Sequence, residues 1–248
     1  MPKQTSSTEE MLLEVTSIPT AAGREDRVQA YLDAWIARRS RTLRARRDRA
    51  GNLLITRKTR SRKTPILITA HLDHPGFVVR SIDDMELEDA RIELFDSEDR
   101  KCTAVISSLD SDAKPFKIAK ARLVRRAPGL KVGDVGRWVL GTPTISKGLL
   151  RTNACDDLAA LCAALIAFDS IRRRKGTEHV GLLLTVAEEV GFIGAIDAAK
   201  SGFIPKNARL LCLENSRSFP DSPIGGGAIV RVGDRMSVFD ATLTNQIS

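Results

Sequence analysis

Four short groups of histidine and carboxylate residues stand at the ends of apolar runs, and their side chains are of the kind that binds divalent cations. The first is His71-Leu72-Asp73, at the end of the run PILITA. In an extended chain residues two apart face the same way, so His71 can offer a ring nitrogen to a metal while Asp73 orients the imidazole. A polar strand end would look the same. The second is Asp156-Asp157, at the head of an Ala/Leu-rich segment. A helix N-terminus stabilises a carboxylate through its free N–H groups and dipole, which explains one acid; two adjacent ones exceed what a cap needs, and a bridged metal would relieve their repulsion. The third is Glu188-Glu189, after GLLLTVA. One of the two can ligate a metal while its neighbour takes a proton from activated water, although a pair of helix-start acids would read alike. The fourth is Glu214, a single carboxylate closing RLLCLE. Together, one histidine and several carboxylates suit oxygen and nitrogen coordination of a pair of divalent ions, with no cysteine ligand required.

The elements that must position these residues follow from hydrophobic periodicity. Met11, Leu12 and Val15, then Val28, Tyr31, Leu32 and Trp35, recur at helical spacing, and the segment 19–23 divides them into two helices. Residues 53–56 and 65–70 are short apolar runs, the second continuous enough to be a strand buried on both faces. Residues 77–144 change character to short alternating runs punctuated by Asp, Gly and Pro, which predicts a small β unit. After it come a helix over 156–172, a strand over 180–187, a helix over 194–201 and a strand over 208–213. Strands alternating with helices predict an α/β fold: a mostly parallel sheet with helices on both faces, interrupted by the β insertion. The expected organisation is a catalytic α/β domain in two parts, 1–76 and 146–248, around an inserted β domain, 77–145. All four clusters then fall at strand ends, where open α/β sheets place their sites.

Composition narrows the function classes. The 248 residues are 42% hydrophobic and 28% charged, as in globular proteins. The longest apolar stretches fall well short of the roughly 20 residues a membrane helix needs, and the polar start lacks a secretory core, so a cytoplasmic protein is expected. Cys102, Cys155, Cys162 and Cys212 are scattered, with no CxxC pair. The net charge of +8 is partly concentrated at residues 38–49, which hold seven arginines. With no nucleic-acid-binding motif and few aromatic residues, this run is read as a solvated basic helix end or loop rather than a nucleic-acid contact.

Taken in order, TAHLDHPGFVV, NACDDLAA, TVAEEVGFIGA and LCLENS resemble the motifs of the tetrahedral (TET), deblocking or glutamyl aminopeptidases. The resemblance runs from about residue 8 to the end and includes the β insertion. It implies a zinc aminopeptidase-like fold, two divalent ions (Zn2+, with Co2+ or Mn2+ as alternatives), a peptide substrate held by its free N-terminus, and homo-oligomers built through the inserted domain. Carried over by motif, His71 would ligate one metal with Asp73 as its orienting neighbour, Asp156 would bridge both ions, and Asp157 would be secondary. Glu188 would be the general base, Glu189 a ligand of the second ion, and Glu214 a ligand of the first, where the family more often has aspartate. Two departures stand out. Leu158 follows the paired aspartates where the family has arginine, and the family's last ligand, a histidine beyond the fourth motif, has no counterpart before Ser248. His74 and His179 read as ordinary loop or surface residues, and the chain reads as truncated. The ligand set leaves open a related zinc deacylase or carboxypeptidase, and a non-catalytic peptide-binding or assembly subunit. The tail adds a glycine-rich turn and a strand-like AIVRV.

Overall fold

The computed structural model describes residues 7–79, 90–114, 117–139, 141–234 and 237–248. The chain opens with helices α1 (Ser7–Val15) and α2 (Asp26–Ala37), which bury Val15 and then Val28, Leu32 and Trp35. Between them Gly23 takes a left-handed φ of +74°, which glycine adopts at little cost, and turns the chain back toward α2. Strands β1 (Leu43–Arg47), β2 (Leu53–Arg57) and β3 (Ile66–His71) follow. Next come β4 (Phe77–Val78), β5 (Ala90–Phe95), β6 (Lys101–Asp110), β7 (Ile118–Leu123) and β8 (Val135–Trp138), then a hairpin of β9 (Thr144–Ser146) and β10 (Leu149–Arg151). Helix α3 (Leu158–Ile171), β11 (Val180–Thr185), α4 (Ile193–Lys200) and β12 (Arg209–Cys212) complete the α/β part, and α5 (Ala241–Ile247) lies near the end.

The fold is α/β. One five-stranded sheet has the order β1-β2-β11-β3-β12, in which β11, β3 and β12 run parallel while β1 and β2 join antiparallel. Strands β2, β3 and β11 are apolar at successive positions because both faces are covered. Leu53, Ile55, Ile68, Ala70, Leu182 and Leu184 face a core shared with α1, α2 and α3. The intervening Leu54, Leu67 and Leu183 face the opposite way, against Ala198 of α4 and Phe203. This alternation is the two-residue period of a strand, and it explains why sequence shows continuous rather than alternating apolar runs. A second sheet, β4-β8-β5-β6-β7, is antiparallel throughout and packs Ile92, Leu94, Ala104 and Ile106 into its own cluster. Arg137 fastens it to the N-terminal loop, donating to the Ser17 carbonyl oxygen (2.8 Å) and pairing with Glu93 (3.2 Å).

The arginine-rich run differs from expectation. Residues 43–47 form an edge strand rather than a helix end or loop, because Leu43 is buried and the backbone pairs with β2. Several of the arginines are engaged by the chain itself. Arg39 bonds Asp169 (2.7 Å), Arg47 bonds Asp33 (2.6 Å), Arg46 donates to the Phe203 carbonyl oxygen (2.8 Å), and Arg44 donates to Thr56 Oγ1 (3.0 Å). Charged side chains along an edge strand also discourage pairing with another chain.

Residues up to Asn215 make one compact unit and Ser216–Ser248 a second. Within the second, AIVRV is not a strand: among the described residues it belongs to no ladder, and the nearest pairing is an isolated bridge between Gly233 and Val238. Helix α5 is capped by Asp240, whose side chain accepts from the Leu243 amide (2.7 Å).

Candidate metal centre

Three parallel strands end at one place. His71 is the last residue of β3 and pairs in register with Thr185, the last of β11; Glu188 lies three residues beyond it. Glu214 lies two residues beyond β12, whose Cys212 is opposite Thr69. Asp156 and Asp157 immediately precede α3, which packs on the same sheet.

The side chains converge on His71. Its Nε2 lies 3.2 Å from Asp156 Oδ1, 3.8 Å from Glu188 Oε2 and 3.9 Å from Glu214 Oε2. Two overlapping groups, His71 with Asp156, Asp157 and Glu214, and His71 with Glu188 and Glu189, each bring their ligand atoms within 4.8 Å of one another. On the other ring nitrogen, Nδ1, Asp73 Oδ1 approaches to 3.4 Å. That is long for a hydrogen bond, so Asp73 acts on the ring through its charge. Asp157, expected to be secondary, does not cap α3; its Oδ2 instead accepts the His71 backbone amide (3.0 Å), while Oδ1 is free.

The loop that carries Glu188 and Glu189 is held by buried side chains at four consecutive amides. Asn52 Oδ1 accepts from Val186 (3.1 Å) and Glu25 Oε1 from Ala187 (2.9 Å). Each oxygen of Asp73 accepts one more, from Glu188 and Glu189 (both 3.0 Å). Asn52 also donates to the Gly194 carbonyl oxygen (2.8 Å) and to Asp48 (2.6 Å), which closes the loop at its far end. Sequence reading did not single out Asn52 or Glu25: the first stands in an ordinary turn and the second at a helix start, and only burial distinguishes them. His74, read as a loop or surface residue, is half-buried beside the cluster and donates from Nδ1 to the Asp156 carbonyl oxygen. His179 sits at the opposite end of β11, where its carbonyl oxygen accepts from Ile66 (3.1 Å).

Asn52 is fully buried, so Asn52→Ala would strand the Val186 amide, whereas the Gly194 carbonyl still lies within α4. A buried group left without a partner costs about 1–3 kcal/mol, and a loss of that order in unfolding free energy is expected from a urea titration. An unchanged midpoint would mean that solvent replaces the bond to Val186.

The electrostatics of the cluster are those of a site short of positive charge. Burial alone would lower the His71 pKa, but the hydrogen bond to Asp156 and the charges of Asp73 and Asp157 override it and carry it up to about 11. Burial pushes Asp157 up to about 8, and burial with the charge of Asp156 pushes Glu189 up to about 7. Glu188 and Glu214 shift upward, chiefly by burial. Asp156 moves downward, because its hydrogen bond to His71 outweighs its burial. Asp73 also moves downward: burial raises it, but His71 and the amides of Glu188 and Glu189 more than offset this. Asp157 Oδ1 and Glu189 Oε1 are buried with no hydrogen-bond partner among the described residues. Such atoms are uncommon and suit ligation of a cation, which would also relieve the mutual repulsion of the carboxylates. The residues present therefore fit a divalent metal site.

Comparison with known proteins agrees with this chemistry. The sequence model of a family described as M42 glutamyl aminopeptidase matches residues 117–248, more than half of the chain, a span that contains Asp156, Glu188, Glu189 and Glu214 but not His71. Among solved structures, an aminopeptidase from the archaeon Desulfurococcus kamchatkensis matches with 21% identity over 91% of this chain and 68% of its own, at a TM-score of 0.66. A TET1 peptidase from Pyrococcus horikoshii, which can assemble into a tetrahedron or a large octahedral shell, matches with 19% identity over 97% of this chain and 80% of its own (TM-score 0.71). A TET aminopeptidase from a marine-sediment thaumarchaeon matches with 20% identity over 98% and 77% (TM-score 0.65). At these identities the structural matches speak to the fold. No curated protein matches the sequence. Among the described residues, no helix is long and apolar enough to cross a membrane.

Proposed function

Because the chain belongs to the M42 glutamyl aminopeptidase family, a family of metal-dependent peptidases, we propose that it removes N-terminal residues from peptides with the help of two divalent ions. The observation that carries this reading is the convergence on His71 of Asp156, Glu188, Glu189 and Glu214 from the ends of separate elements. Zinc is the ion we favour, since an imidazole with carboxylates suits it, and Co2+ or Mn2+ would serve in its place. His71 and Glu214 would hold one ion, Glu189 the other, and Asp156 both. When bound, the ions supply Lewis acidity toward a carbonyl and lower the pKa of water. Glu188 takes a proton from the attacking water and returns it to the leaving amine, a role suited to a carboxylate whose pKa burial has raised. Asp73 positions its partners, through its charge on His71 and its two bonds to the Glu188 and Glu189 amides.

The antiparallel sheet within residues 77–145 would be an inserted domain that joins copies of the chain into a homo-oligomer, as the shell-forming TET1 peptidase suggests. Four free cysteines fit a reducing, cytoplasmic setting.

The test is hydrolysis of matched peptides with free and N-acetylated termini, with and without added Zn2+. Metal-dependent release of the first residue from the free peptide alone is expected. Cleavage only of the acetylated peptide, or release from the C-terminus, would replace this reading with a deacylase or carboxypeptidase.

Metal uptake is expected to depend on pH. With its pKa near 11 in the metal-free fold, His71 is protonated at neutral pH and must lose that proton to ligate; Glu189, near 7, is partly protonated there too. Uptake should therefore release protons, and apparent affinity should rise between pH 6 and 8, as calorimetry in buffers of different ionisation enthalpy can measure. Affinity independent of pH would show that these groups are not the ligands.

A further inference from the structure

Glu25 stands at the start of α2, where an acid ordinarily accepts from its own helix's free amides. It does not do so: its side chain makes no cap bond, is turned inward, and leaves the residue only 5% exposed. Oε1 accepts from Gly23 (2.9 Å) and, across 162 residues of sequence, from Ala187 (2.9 Å). Ala187 is the residue before Glu188 and holds a φ of +53°, a left-handed conformation that a residue with a Cβ adopts only where its surroundings compel it. That dihedral sets the direction in which the chain leaves β11, and with it where the next two carboxylates project. The neighbouring amides are held by Asn52 and Asp73, but Ala187 itself is held in this way by Glu25. A buried carboxylate is a costly choice for a bond that a neutral group can make, and burial has raised its pKa.

We infer that Glu25 is a positioning residue, which fixes Ala187 in its left-handed turn and so sets the placement of Glu188 and Glu189. The inference rests on the proposed reading of those two glutamates and extends it to a residue outside the span matched by the family. It touches no substrate or metal; its effect passes through the backbone of one residue.

The test compares Glu25→Ala and Glu25→Gln by steady-state kinetics on a free N-terminal peptide in the Zn2+-loaded protein, with thermal unfolding as the reference. Glu25→Ala is expected to lower kcat by about 10- to 100-fold with KM changed by less than about twofold, the effect of displacing a reacting group by a fraction of an ångström to an ångström. Glu25→Gln, whose carbonyl oxygen accepts the same amide, should recover most of the loss. Equal losses in both variants, in proportion to lost thermal stability, would reduce Glu25 to a structural part and overturn the inference. Should Glu25→Ala fail to fold, Glu25→Asp, which keeps the charge but draws the carboxylate back by one methylene, must show the kcat loss; unaltered kcat overturns the inference. A second readout needs no turnover. Co2+ titrated into the metal-free chain, followed by its visible absorption, should bind more weakly at the Glu189 group in Glu25→Ala, and Glu25→Gln should restore it. If the unsubstituted chain shows no turnover on any peptide, the functional reading fails by itself. The Co2+ titration then decides the inference alone, and unchanged affinity in Glu25→Ala counts against it.

Discussion

Replacing Glu188 with glutamine is expected to lower kcat by about 10²- to 10⁴-fold, the range associated with loss of a positioned general base, while metal uptake and KM stay near their original values. Glutamine has the shape of glutamate and can still bond to water, but it cannot hold a proton between attack and departure of the amine. The backbone of residue 188 would keep its place, because its amide bonds Asp73 and this does not depend on the side chain. Steady-state kinetics beside elemental analysis of the same preparation separates the two roles a carboxylate can have here. Glu188 Oε2 is 3.8 Å from His71 Nε2 and belongs to one of the two ligand groups, so ligation is the competing role. Lost turnover with full metal content marks a base; lost turnover with lost metal marks a ligand and would reassign the proton transfer to Glu189.

Asp156→Ala should be more severe for the metal. Asp156 is the carboxylate nearest to Nε2 of His71, and a bridging residue is the one whose removal weakens both ions at once. Loss of an outer partner of a metal ligand costs up to about 100-fold in affinity, and loss of a bridge should exceed that. Turnover should then disappear. The metal-free fold should persist, because the Asp156 side chain is 47% exposed and its bond is to His71 rather than to the apolar core, whereas Asp157 beside it is buried. Zn2+ titration with circular dichroism of the metal-free protein checks both halves. Retention of one tightly held ion would confine Asp156 to a single site.

The residues that sequence singled out lie in one cluster for a reason visible in the sequence. PILITA and GLLLTVA are continuous apolar runs that stop at a titratable group, the composition of a strand covered on both faces, and RLLCLE follows the same pattern on a strand that leaves Leu210 and Cys212 exposed. Parallel strands in register then bring their ends together. The supports of the cluster were not legible. Glu25 precedes an amphipathic helix and reads as a helix-start acid, Asn52 reads as a turn residue, and His74 reads as part of a loop. Each acquires its role from a contact across long stretches of sequence. Residues 43–47 do not read as a strand, because arginine side chains surround the one buried position, Leu43, that anchors this edge strand. AIVRV is the opposite case: β-branched residues favour extended backbone, but a strand also needs a neighbour to pair with, and composition does not report one.

The most direct measurement is the number of metal ions bound per chain, by calorimetric titration of Zn2+ into the metal-free protein with elemental analysis of the dialysed product. Two ions per chain are expected, with the weaker one lost in Glu189→Gln. A single ion, or none, would contradict a paired site bridged by Asp156.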